Sequence, residues 1–236
     1  MWGLVIPFAL LCACGTSNEA PADGPKPSGG QPAPAESLSM GGAKSVTKFF
    51  VTSRGVGKGG DLGGLAGADA HCQALAAAEG SGDHTWRAYL STVATATEQA
   101  INARDRLGSG PWYNADGLLI APNIEQLHSA ENKMTKDTAV TERLDPVNGV
   151  GDTPVMHDIM TGSRPDGTAF EADGRDLTCR NWTSSGGGGA QVGHHDRKGD
   201  GEGADSWNSA HPSEGCGQQD LERSGGAGLF YCFAAD

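Results

Sequence analysis

The chain reads as one loop-rich α+β domain behind an apolar leader and a tether, and three observations give that class. A single strong helical pattern lies near the front of the body, and short β-prone runs are scattered through the rest. The 37 glycines and low aromatic content argue against a helical bundle or a regular solenoid.

The elements follow in order. KFFVT (48–52) is a β-prone run that opens the body. A glycine-rich turn, RGVGKGGDLGG, leads into LAGADAHCQALAAAEG, where Leu65, Asp69, Cys72, Leu75 and Ala76 fall at helical spacing and Gly80 supplies the stop. Cys72 is therefore expected on the inner face of a helix. WRAYLS (86–91) alternates as a strand, with Trp86, Ala88 and Leu90 on one side. ATEQAINARDRL (96–107) predicts a second, shorter helix, and PWYNADGLLIA (111–121) predicts two short strands about a turn at Asp116 and Gly117. NIEQL reads as a helical turn, and HDIMTG (157–162) and TCRNW (178–182) as further strands. GLFYCFA (228–234) is the most apolar segment of the body and predicts a central strand, buried on both faces, with Cys232 in its middle.

The front end sets the address. LVIPFALL (4–11) is far shorter than the roughly 20 residues of a spanning helix and suits the apolar region of a secretory signal. Leu11, Cys12, Ala13 and Cys14 resemble the bacterial lipobox, which would make Cys14 the lipidated first residue of the mature chain. The opening MWG lacks the Lys or Arg that a signal normally carries, and a non-lipidated secreted protein is the alternative. The stretch after Cys14 is rich in Pro, Gly, Ala and Ser and buries too little to offset the entropy of ordering. The expected division is a signal over 1–13, a lipid anchor and disordered tether over 14–45, and a folded domain over 46–236. It implies attachment to the lipid bilayer through Cys14, in the bacterial envelope, at the outer membrane or cell surface.

The net charge of -12, with no basic run, disfavours nucleic acid, heparin-like chains and anionic membranes as partners. With Cys12 lost and Cys14 lipidated, Cys72, Cys179, Cys216 and Cys232 remain. An even number in an exported chain implies two disulfides, with three pairings open. A zinc site is the rival use of these sulfurs, but no CxxC pair exists.

One cysteine on an early helix, two enclosing a loop-rich segment and one in the terminal strand resemble the C-type lectin-like fold. KFFVTS, GDLGGLAGADAHCQALA, TWRAYLS, ARDRL, MTGSRPDGT, TCRNWTSS, SWNS and LFYCFA are similar to its bacterial endostatin-like branch, over about four-fifths of the chain. The resemblance implies nested disulfides, Cys72 to Cys232 and Cys179 to Cys216, and a binding or adhesion module at the cell surface.

Sugar-binding members of that fold hold calcium with an EPN or QPD triplet and a WND triplet. Neither upstream triplet precedes Cys179, and Trp207, Asn208 and Ser209 stand where WND would fall, with serine replacing the aspartate. Trp207 and Asn208 are nonetheless the candidate ligand-binding residues, with Trp112 as a further sugar-facing candidate. Asp196, Asp200, Glu202 and Asp205, in HHDRKGDGEGADSW, are the candidate calcium ligands, set against a solvated acidic loop. Asp166, Glu171, Asp173 and Asp176 are read in the same way. No cofactor is required. His194, His195 and Asp196, with His211, offer a zinc alternative, although adjacent loop residues point apart. The zinc site and arginine patch of animal endostatin have no matching residues.

GxSxG, HExxH and a P-loop are absent, and His71 beside Cys72 diverges from it on a helix. The expected function is a lipid-anchored, non-catalytic module for a glycan or protein ligand. A metal-dependent envelope hydrolase using the His194, His195 and Asp196 region, and a purely structural envelope protein, are the rivals.

Overall fold

The computed structural model describes residues 44–236, so the leader, Cys14 and nearly all of the tether lie outside the described residues. Strand β8 (Gly226–Ala234) organises the rest. It is FYCF and its neighbours in extended form, and alternate side chains feed two cores. Phe230 and Cys232 enter one with Phe50, Leu75, Trp86 and Trp182; Leu229, Tyr231 and Phe233 enter the other with Phe49, Tyr89, Trp112 and Trp207. An apolar run without alternation is what burial on both faces requires.

β1 (Phe49–Val51) and β2 (Trp86–Ala88) both pair antiparallel with β8, placing Phe50 and Ala88 on either side of Cys232. β5 (Asp158–Met160) runs parallel to the front half of β8, with Asp158 opposite Gly226. β6 (Gln191–His194) and β7 (His211–Pro212) extend the sheet beyond β5 in antiparallel fashion, giving six strands. β3 (Trp112–Tyr113) and β4 (Leu119–Ala121) form a separate two-stranded sheet, as the turn at Asp116 and Gly117 predicts.

Helix α1 (Gly64–Ala78) lies on one face and buries Ala68, Cys72, Leu75 and Ala76. The Cys72–Cys232 disulfide ties it to β8 across a sequence separation of 160, and Cys179–Cys216 closes the shorter loop of 37. The bridges are nested. In the chain-entropy account they remove about 5 and about 4 kcal/mol of unfolded-state freedom. Gly60 makes the inner bridge possible, since a Cβ there would stand 2.5 Å from Cys179 Sγ. Short helical turns α2 (Ile124–Leu127) and α4 (Gln218–Arg223) complete the set, the first being the NIEQL turn.

Two expectations are corrected. The helix over 96–107 is reduced to a 3₁₀ turn, Ala103–Arg106. Residues 94–100 are exposed, so a helix there would have no apolar face to bury. Arg106 is instead drawn inward to the Asp69 carboxylate and the Ala88 carbonyl. The strand expected over 178–182 is a single turn, α3 (Cys179–Trp182), whose four residues all have positive φ, from 48° to 67°.

Candidate functional site

Turn α3 is left-handed, a conformation that costs non-glycine residues roughly 1–2 kcal/mol each, so neighbouring bonds must hold it in place. Cys179 is bridged to Cys216. The Asp176 carboxylate accepts from the Thr178 and Arg180 amides. The Asn181 side chain clasps Val93 at both backbone atoms, accepting from its N–H at 2.9 Å and donating to its carbonyl at 3.0 Å. Trp182 Nε1–H donates to the Ser91 carbonyl. Two cavities of about 340 and 760 Å³ meet at this turn and share Thr95, Arg180 and Asn181 in their walls. Their walls also carry Glu98, Gln99 and Arg175, beside the exposed apolar side chains of Ile101 and Ala172.

The second feature is a buried group of titratable side chains at the far end of the sheet. Register places Asp158 of β5 opposite His194 of β6, and His211 of β7 lies one strand further out. His157 precedes β5, and its ring stacks on that of His194 with centroids 4.1 Å apart. Asp158 Oδ1 lies 3.3 Å from Nε2 of His157, 3.3 Å from Nε2 of His194 and 3.6 Å from Nε2 of His211. Asp158 is 2% exposed, and neither of its carboxylate oxygens makes a hydrogen bond.

Each of the three rings turns its other nitrogen to an acceptor. His157 Nδ1 faces Asp196 Oδ1 at 3.2 Å, His194 Nδ1 the Ala204 carbonyl at 2.8 Å, and His211 Nδ1 the Pro212 carbonyl at 3.0 Å. Asp196 is itself held by the amides of Val150 and Lys198. Burial opposes ionisation of Asp196, but the His157 hydrogen bond, the Val150 amide and nearby imidazoles outweigh it and hold its pKa well below the usual carboxylate range. Burial likewise pulls the His194 pKa down, yet the Asp158 carboxylate and the Ala204 carbonyl turn the net shift upward. No protein-family model and no curated protein matches this chain. The site is therefore read from its own geometry.

Among the described residues, His157, Asp158 and His194 form the group whose ligand atoms all lie close enough together to share one metal ion. The calcium candidates are placed differently. Asp196 is buried against His157, while Asp200, Glu202 and Asp205 are exposed. Of the zinc alternative, His194 belongs to the group and His211 abuts it, whereas His195 turns its Nε2 to the Asn148 carbonyl.

Trp207 is 3% exposed among Tyr89, Tyr231 and His128. Asn208 is 1% exposed and donates to the Tyr89 hydroxyl and to the Arg164 and Pro165 carbonyls. Gly193 lets β6 pass over them, since a Cβ there would meet the Trp207 carbonyl at 2.0 Å. Trp112 is fully buried. Asp176 caps α3, and Asp173 pairs with Arg175. Sequence reading did not single out His157 and Asp158. The HD pair opening HDIMTG was the available signal, but only strand register joins it to His194.

Proposed function

We propose that the chain is an extracytoplasmic binding module of the C-type lectin-like, endostatin-like kind, tethered to the envelope through Cys14 and without catalytic activity. The observation that carries this reading is the pair of confluent cavities at α3, where a left-handed turn of four non-glycine residues is held from several directions. Backbone held in a sparsely populated region is a frequent mark of ligand sites. The polar side chains here, Thr95, Glu98, Gln99, Arg175, Arg180 and Asn181, with the apolar Ile101 and Ala172 beside them, suit a neutral polar ligand such as a glycan or an extended protein segment. The two disulfides fit an oxidising compartment, and no helix among the described residues is long and apolar enough to cross a membrane.

A metal-dependent hydrolase is the alternative. The engagement of buried His195 Nε2 with the Asn148 carbonyl and the use of Asp196 to hold His157 speak against a catalytic site made of His194, His195 and Asp196.

Screening the full chain against panels of immobilised glycans and extracellular proteins tests the binding reading. Thr95→Trp fills the shared wall from an exposed position, so it should abolish capture and leave the urea midpoint unchanged. Capture that survives Thr95→Trp, or an empty panel, would overturn the reading.

A further inference from the structure

The buried group at the end of β5, β6 and β7 poses an electrostatic problem that the binding role does not address. Each of the three imidazoles has an acceptor at Nδ1, so each carries its proton there. That leaves a lone pair on every Nε2. These lone pairs converge on one another and on a carboxylate: His194 Nε2 lies 3.0 Å from His211 Nε2, and all three face Asp158 Oδ1. With the three rings neutral, electron-rich atoms are gathered here with no donor among them, and both Asp158 oxygens lack a hydrogen-bond partner. A buried, unpaired carboxylate is strongly disfavoured unless a cation accompanies it.

We infer that this pocket is a zinc site, with His157, Asp158 and His194 as ligands and His211 as the fourth. Zinc takes four ligands tetrahedrally, at about 2.0–2.2 Å for imidazole and carboxylate, which puts neighbouring donor atoms about 3.3–3.5 Å apart. Four of the six separations among these donor atoms run from 3.0 to 3.6 Å. Three imidazoles and one carboxylate suit zinc, whereas calcium needs six to eight oxygens and soft copper(I) prefers sulfur.

The surroundings are built for a metal. Ligating imidazoles characteristically donate their second N–H to a carboxylate or carbonyl, which fixes tautomer and ring orientation. Asp196 does so for His157 while fastened by two backbone amides, and the Ala204 and Pro212 carbonyls do so for the other two.

With four protein ligands the coordination sphere is closed, so the ion clamps structure and activates no water. It fastens three strands of one sheet and brackets the loop of residues 195–210, adding to the backbone-carbonyl contacts that His194 and Arg197 make across its base.

The test uses the full chain carrying no polyhistidine tag. Elemental analysis should give one zinc per chain. A strong chelator should lower the melting temperature, and zinc should restore it. Cobalt(II) loaded in place of zinc should give the intense visible absorption of a tetrahedral site. Asp158→Asn should abolish metal uptake. His211→Gln, at a side chain 41% exposed, keeps the test valid if the buried variant does not fold, and should weaken zinc and replace the tetrahedral cobalt spectrum. Asp196→Asn should lower zinc affinity roughly 10- to 100-fold. Folded protein that is isolated without metal and takes up neither zinc nor cobalt, or His211→Gln binding both as wild type does, would overturn the assignment.

Discussion

Asn208 shows how a residue in a ligand-like motif can be consumed by the fold. Its amide joins the β2 side, through the Tyr89 hydroxyl, to the Arg164–Pro165 turn, through two carbonyls. Desolvation by burial raises the Tyr89 pKa far above its ordinary value, so the phenol stays neutral and keeps a hydrogen-bond role. Truncation in Asn208→Ala removes one buried and two part-buried hydrogen bonds and leaves a gap in the core, and is expected to cost about 1–3 kcal/mol, read as a lower urea midpoint. A midpoint unchanged within error would show that these bonds do not support the fold. Asp158 illustrates the opposite case, a carboxylate whose buried oxygens make no hydrogen bond within the protein.

Turn α3 makes the case at the level of elements. In a right-handed helix an exposed Arg→Gly change costs about 1 kcal/mol. At Arg180, with φ of 54°, glycine relieves a left-handed penalty of roughly 1–2 kcal/mol and adds unfolded-state entropy worth roughly 0.5–1 kcal/mol. Arg180→Gly is therefore expected to leave the urea midpoint at or slightly above wild type. A loss of 1 kcal/mol or more would contradict the backbone described for this turn. The same element marks where sequence reading stops. TCRNW has the β-branched and aromatic content of a strand, and the bonds that wind it come from Asp176, Val93, Ser91 and Cys216, three of them distant in sequence. By contrast, α1, β1 and β8 are legible because each carries its own period or an unbroken apolar run. QVGH of β6 carries neither signal and is set by pairing with β5, so nothing in the sequence joined His157 and Asp158 to His194, and half of the proposed zinc ligands escaped notice.

For the whole molecule, the nested bridges decide whether a glycine-heavy chain folds at all. Natural domains hold only about 5–15 kcal/mol in reserve, and the outer bridge alone accounts for about 5 in the chain-entropy account. Replacing Cys72 and Cys232 together by alanine is expected to abolish the cooperative urea transition at 37 °C, while the Cys179 and Cys216 pair, enclosing a shorter loop, should cost less. Near-ultraviolet circular dichroism reports both, and equal effects would argue against loop length as the cause. The strand layout has a mechanical corollary. Lys44 binds Asp236, and Phe49 lies opposite Phe233, so the first and last described residues lie together at one tip of β8. Asp158 sits level with Gly226 at the other tip, about 26 Å away at the usual rise per strand residue. Tension applied between Lys44 and that far tip would run lengthwise through β1 and β8 and load their hydrogen bonds all at once. Tension between Lys44 and Asp236 would instead peel the two strands apart rung by rung, so the direction of pull would set how firmly the domain holds.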